Sequence, residues 1–111
     1  MIKKIHIPIF HGHLILYQGV PFDDIIKKFQ LQELPNGEAM YAAMLNDNGF
    51  TVYVIAVRDE VSPNAITHEA AHVTHAMMIH RGMKPDLLND EWENYLLGWI
   101  VKQCHKYFKV T

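Results

Sequence analysis

Residues 62 to 82 read SPNAITHEAAHVTHAMMIHRG, and the rest of the chain is best explained as packing around this stretch. It predicts one long helix, because Ser62 is a good N-cap and Pro63 suits the first helical position, where no N–H is needed. Gly82 can take the left-handed conformation that ends a helix. Four apolar residues recur at helical spacing and predict the face that packs on the core: Ile66, Ala70, Val73 and Met77.

The first half of this helix contains the motif His68-Glu69-Ala70-Ala71-His72. Histidines four apart lie ~40° apart around a helix and one turn apart along it, so both rings can reach one ion. Glu69 points ~100° further round, where a carboxylate can contact a water on the same ion. The motif therefore predicts a Zn²⁺ site with His68 and His72 as ligands and Glu69 as base. The alternative is a metal-free helix whose imidazole rings only pack or form hydrogen bonds.

Length and composition predict one small globular domain that spans residues 1 to 111. The sequence is 50% hydrophobic and 20% charged, a globular balance. The net charge of −2 and the isolated lysine pairs give no basic surface for nucleic acid. We therefore expect no nucleic-acid partner.

Cysteine usage and hydropathy bear on the compartment. The single cysteine, Cys104, excludes an internal disulfide framework and fits a reducing environment. It lies in an apolar helical stretch, where buried packing is expected rather than reactivity. Neither a secretion signal nor a membrane-length apolar run is visible, so we expect a cytoplasmic protein without a membrane partner.

The first part of the chain predicts a hairpin followed by a short helix. Residues 2 to 9 and 13 to 17 can pair as strands across His11-Gly12. His11 and His13 could share one face of a strand as a metal pair, but no carboxylate or cysteine accompanies them, so polar residues at a turn are the preferred interpretation. The helix that follows has four apolar residues on one side: Phe22, Ile25, Ile26 and Phe29.

A second hairpin is predicted ahead of the long helix. Residues 39 to 45 and 50 to 57 flank Asp47-Asn48-Gly49, and Asn-Gly between apolar runs is a strong hairpin signal. The second run is rich in β-branched and aromatic residues, which favour a strand. Its edge is a candidate surface for an extended peptide that adds to the sheet.

After Gly82, a second long helix is predicted to begin near Asn89-Asp90. Its first turn carries Glu91 and Glu93. Apolar residues at helical spacing predict its core face: Trp92, Leu96, Trp99, Ile100 and either Gln103 or Cys104.

A zinc site needs a third protein ligand, and three residues are candidates. Glu91 is preferred, with Glu93 as an alternative from the same helical turn. His75 is the other rival, because it returns to the helical face of His68 and His72, although three ligands on one straight helix would strain a tetrahedral site. The glutamates also have a structural interpretation, since carboxylates are favoured at a helix start and Glu93 can form a capping box.

The chain resembles the zincin metallopeptidases that use a glutamate as third ligand. The resemblance covers roughly residues 50 to 105, and it rests on His68-Glu69-x-x-His72, on Glu91, and on the segment Asn94-Tyr95-Leu96-Leu97-Gly98-Trp99. It is nearest to small phage-encoded zincin-like proteins, and more distant from repressor-cleaving metallopeptidases of phage and mobile-element switches. The resemblance implies that His68, His72 and Glu91 bind Zn²⁺ and that Glu69 is the catalytic base.

We therefore expect an α+β fold, a minimal zincin-like domain with a small antiparallel or mixed sheet packed on two long C-terminal helices plus one short helix. The expected activity is zinc-dependent hydrolysis of a peptide bond in a specific protein or peptide substrate. Tyr95, one turn after Glu91, is a candidate to assist the oxyanion, although core packing is the preferred interpretation of this residue. The other functions left open are a non-catalytic zincin-fold binding or regulatory module and a metal-free scaffold. Imidazole and carboxylate ligands also bind divalent ions other than zinc. The aromatic residues expected on the surface of so small a domain would also permit a homodimer.

Overall fold

A computed structural model describes residues 1–8, 12–32, 37–45 and 50–111. Its elements in chain order are β1 (Ile2–His6), β2 (Gly12–Gln18), α1 (Phe22–Phe29), β3 (Ala39–Leu45), β4 (Thr51–Val57), α2 (Pro63–His80) and α3 (Glu91–Tyr107). The predicted α+β class, with two antiparallel strand pairs, a short helix and two long C-terminal helices, is confirmed. The predicted turns at His11 and at Asp47-Asn48-Gly49 lie outside the described residues.

The four strands form one mixed sheet in the order β1-β2-β4-β3. The pairs β1–β2 and β3–β4 are antiparallel, whereas β2 and β4 are parallel. β4 therefore lies in the interior of the sheet, with its backbone hydrogen-bonded to a neighbour on each side. The expectation that residues 50 to 57 present a free edge is wrong, and β3 is the edge strand beside α2.

The sheet carries apolar residues on both faces. On one face, side chains of β2 and β4 pack with the buried sides of α2 and α3. On the other, Tyr17, Met40, Val54 and Ala56 pack against Phe22 and Ile25 of α1. This two-sided burial explains why β4 reads as a continuous apolar run.

Local signals determine the ends of α2. The Ser62 hydroxyl accepts a hydrogen bond from the Ala65 N–H at 3.2 Å, and Pro63 is the first helical residue. Gly82 has a φ of 68°, the left-handed conformation that follows a helix end. All four residues predicted to face the core are buried: Ile66, Ala70, Val73 and Met77.

The buried face of α3 agrees with the prediction except in the first turn of the helix. Leu96, Ile100 and Cys104 are buried as predicted, but Trp92 remains 49% exposed. The capping box that was the alternative interpretation of Glu93 is absent, because the Asp90 side chain makes no capping hydrogen bond and Glu93 pairs with His75 of α2 instead. The buried face of α3 therefore begins at Leu96, one turn later than the position of Trp92 had predicted.

The buried amide of Gln18 joins three parts of the chain. Its Nε2 donates to the carbonyl oxygens of Asp59 at 3.2 Å and Lys109 at 3.1 Å, and its Oε1 accepts from the Lys109 N–H at 2.8 Å. The Thr111 N–H donates to the Val61 carbonyl oxygen at 2.9 Å. These bonds hold the C-terminal segment against the residues that lead into α2. In the described chain, none of the helices has the length and hydropathy needed to cross a membrane.

Candidate metal and catalytic site

His68 and His72 converge on the exposed side of α2. Their Nε2 atoms lie 3.2 Å apart, and the rings meet edge to face with centroids 4.8 Å apart. The helix produces this arrangement because residues four apart stand one above the other on the same face. Two nitrogen lone-pair sites thus meet at one point on the surface.

The distance between these nitrogens fits zinc. Two Zn–N bonds of about 2.05 Å to atoms 3.2 Å apart enclose an angle of about 103°, near the tetrahedral value. The same distance also fits a hydrogen bond in which one neutral imidazole donates to the other. Both interpretations orient the two rings toward a common point, and the donor set is the one that zinc prefers.

Glu69 lies beside this pair and is half-buried. Burial raises the pKa of its carboxyl group because it disfavours the charged form, and the nearby His68 and His72 partly offset this effect. A carboxylate with a raised pKa is a better proton acceptor at neutral pH than an exposed glutamate. The site thus brings together the two predicted ligands and the predicted base.

A groove of about 370 Å³ opens next to these residues. It is lined by the start of β3 and the first turns of α2, namely Gly37, Glu38, Ala39, Ser62, Asn64, Ala65, His68 and Glu69. The groove therefore connects the edge of the sheet directly with the base.

Glu38 holds the two walls of this groove together. Its Oε1 accepts hydrogen bonds from the backbone N–H of Ser62, at 3.1 Å, and from the Ser62 hydroxyl. These bonds lower the pKa of the Glu38 carboxyl group by stabilising its charged form. The negative charge lies at the N-terminus of α2, where the helix dipole favours an anion.

Tyr41 of β3 contacts the motif directly. Its ring stacks on the His72 ring with centroids 4.6 Å apart and an angle of 11° between the planes. Neither Tyr41 nor Glu38 was identified from the sequence. A signal for Tyr41 was present in β3, where one large aromatic stands between Ala39 and Ala43 on the same face of the strand.

Of the three candidates for the third ligand, two contact each other and one is exposed to solvent. His75 Nε2 lies 3.0 Å from Glu93 Oε1, so two of the three candidates pair with each other and link α2 to α3. Glu91 is exposed at the first residue of α3. Across residues 1–8, 12–32, 37–45 and 50–111, no group of three or more His, Cys, Asp or Glu is arranged to hold a metal. The third ligand stays a prediction.

Two further sequence candidates lie apart from the histidine pair. Tyr95 is 68% exposed and meets Trp92 edge to face, so the preferred interpretation of core packing is wrong. Its role at an oxyanion stays a prediction. His13 lies in β2 with its ring near His6 and Phe50, whereas its suggested metal partner His11 falls outside the described residues.

Comparisons of the chain with protein-family models, with curated proteins and with solved structures gave no match.

Proposed function

We propose that the protein is a zinc-dependent metallopeptidase of the zincin type. The observation that carries the proposal is the convergence of His68 and His72, whose Nε2 atoms lie 3.2 Å apart. The half-buried Glu69 lies beside them and lines a groove. A histidine pair alone would support metal binding only. The neighbouring base and groove add the proton acceptor and the substrate space that hydrolysis needs.

The roles of the chain's own residues follow from this arrangement. His68 and His72 would hold the zinc ion, with Glu91 as the predicted third ligand. A bound zinc ion supplies Lewis acidity for the scissile carbonyl and makes water more acidic. Glu69 accepts the proton of the attacking water and passes it to the leaving amine. The raised pKa of Glu69 suits both halves of that transfer.

The groove suggests how a peptide would bind. β3 is an edge strand of the described sheet, and its first residue, Ala39, forms one wall of the groove together with the preceding Gly37 and Glu38. An extended peptide could add to this edge through backbone hydrogen bonds, which give affinity without requiring a particular sequence. Its scissile bond would then pass close to Glu69.

Replacement of Glu69 by glutamine tests the peptidase directly. Zinc-loaded wild type should generate new peptide termini from a diverse peptide pool, detected by mass spectrometry. Glu69→Gln should retain stoichiometric zinc and lose about 10²- to 10⁴-fold in kcat/KM, because it keeps the shape but not the base.

Glu60→Gln is the matched control, since Glu60 is an exposed carboxylate 3.6 Å from Lys109 and lies outside the groove lining. It should cleave as the wild type does. Wild-type protein that binds zinc and cleaves no member of the pool or of a protein lysate would contradict the peptidase.

A second candidate function is a non-catalytic binding or regulatory module that keeps zinc for stability or interaction. The arrangement of ligands favours it: among the described residues no third ligand joins His68 and His72, and a histidine pair alone supports metal binding but not hydrolysis. For such a module, zinc should raise the melting temperature of wild type and Glu69→Gln equally, without any cleavage by either.

A further inference from the structure

The ring of Tyr41 lies almost parallel to the ring of His72. The centroids are 4.6 Å apart, the planes differ by 11°, and Tyr41 is partly buried on the side of the sheet that packs on α2. Ala39 and Ala43 flank it on the same face of β3 and leave space for the imidazole. We propose that Tyr41 is the positioning residue for His72: it holds the imidazole with Nε2 directed at His68 and so raises the affinity for zinc. The proposal rests on the zinc site of the proposed function.

Stacking restricts the ring without engaging its nitrogens. An imidazole on an α-helix can rotate about its terminal torsion over a broad range. Rotation of His72 out of the observed plane would separate the two ring faces and lose their contact. The nitrogens lie at the edge of the imidazole and their lone pairs point outward in the plane of that ring, so the stack does not block them. A hydrogen-bonded partner would instead occupy one of them.

Stacking also favours the metal-bound form. An imidazole that donates its lone pair to a cation becomes poorer in electrons, and the face of a phenol ring is rich in them. The contact between Tyr41 and His72 should therefore be stronger with zinc than without it. An interaction that is stronger in the loaded protein adds directly to the binding free energy.

The histidine ring itself reports the arrangement before any metal is added. A proton above the face of an aromatic ring is shielded, so the carbon-bound ring protons of His72 should resonate upfield in the NMR spectrum of the zinc-free protein. The shift should persist in Tyr41→Phe, which keeps the ring, and disappear in Tyr41→Leu. An unshifted His72 in the wild type would overturn the proposal even if Tyr41→Leu did not fold.

Zinc affinity provides the second measurement, by competition with a chromophoric chelator. Tyr41→Leu should weaken binding about tenfold, the lower end of the effect seen for residues that orient metal ligands, whereas Tyr41→Phe should stay within about twofold. Tyr107→Leu is the control, because it removes a partly buried tyrosine of α3 and should leave the affinity unchanged. Circular dichroism and thermal melting would verify that each variant is folded.

The outcomes separate this proposal from the peptidase. Wild-type affinity in folded Tyr41→Leu would overturn the role of Tyr41 and leave the zinc site standing. Equal weakening in Tyr41→Phe and Tyr41→Leu would assign the effect to the hydroxyl and overturn the stacking argument. Absence of zinc binding by the wild type would overturn both proposals together.

Discussion

Two histidines of α2 meet tyrosines of the sheet, and the two contacts differ in kind. His72 stacks face to face on Tyr41 of the edge strand β3. His80, two turns further along, is joined to Tyr53 of the interior strand β4 by a hydrogen bond of 2.8 Å between its Nδ1 and the phenol oxygen. The second pair is tilted, with 35° between the ring planes, and Tyr53 is only 1% exposed.

The difference shows how the surroundings assign a role to a histidine. A phenol in the core must satisfy its hydroxyl group, and His80 supplies one partner. The nitrogen used for that bond is no longer available to a ligand. The stack on Tyr41 uses the ring face instead and engages neither nitrogen of His72, whose Nε2 faces His68 Nε2 at 3.2 Å. We therefore interpret His80 as a structural histidine and His72 as a binding one.

The largest predicted effect separates the two histidines by zinc content. His72→Ala removes one of two converging ligands and should abolish stoichiometric zinc, whereas His80→Ala should retain about one zinc per chain. Elemental analysis of the purified proteins, after exchange into zinc-containing buffer, measures both. Loss of zinc from both variants would show that the contrast between the two contacts is wrong.

Stability should show the reverse order. Tyr53→Phe removes the hydroxyl that bonds the partly buried His80 ring and should lower the free energy of unfolding by about 1 to 2 kcal/mol. Tyr41→Phe keeps the stack and should change it by less than about 0.5 kcal/mol. Urea denaturation at pH 7 in the presence of a chelator compares the two. An equal loss in both variants would remove the distinction.

The pH dependence of the free energy of unfolding should also distinguish Tyr53 as a core residue. Burial raises the pKa of the Tyr53 hydroxyl above its usual 10.0, with a smaller opposing effect from Thr51 and Arg81. The unfolded chain therefore releases this proton at lower pH than the folded protein. The stability that Tyr53 contributes is fully present below about pH 10 and is lost as the pH rises through the folded-state pKa. Urea midpoints measured from pH 8.5 to 11 should fall less steeply for Tyr53→Phe than for wild type.

The smallest predicted effect concerns the groove beside His68 and Glu69. The described residues of its lining include Glu38 and Glu69 and neither lysine nor arginine. A substrate side chain that enters the groove should therefore be bound more tightly when it is cationic. In the catalytically blocked Glu69→Gln background, Glu38→Gln should reduce the preference for lysine over norleucine peptides roughly two- to fivefold, as expected for an exposed charge pair. Calorimetric titration at two salt concentrations would detect it, and an unchanged preference would refute the role of Glu38.

Local features of the molecule could be predicted from the sequence to within a residue or two. Ser62, Pro63 and Gly82 determine the ends of α2 through the chemistry of their own backbone neighbours. The spacing of His68 and His72 likewise determines their convergence, because the helix alone brings them together. The pairing of each antiparallel strand pair follows from strands that are close in sequence.

Features that depend on distant segments could not be predicted in the same way. The position of β4 inside the sheet depends on its parallel pairing with β2, although its continuous apolar run was a usable signal. The pairing of His75 with Glu93 depends on how α3 packs across α2, which the helical repeat does not specify. The same uncertainty affects Trp92 and Tyr95, whose spacing permitted burial but whose side chains remain exposed.

The amide side chain of Gln18 has a consequence for how the molecule opens. Amides outside helices and strands normally exchange with solvent by local opening, at almost no cost in free energy. Here the Lys109 N–H is donated to Gln18, and the Thr111 N–H to Val61, one residue before the cap of α2. Opening this segment therefore also releases the residues that lead into the helix of the histidine pair. The far end of α3 and the entry to α2 should exchange their amide protons as one cooperative unit, distant in sequence but joined in unfolding.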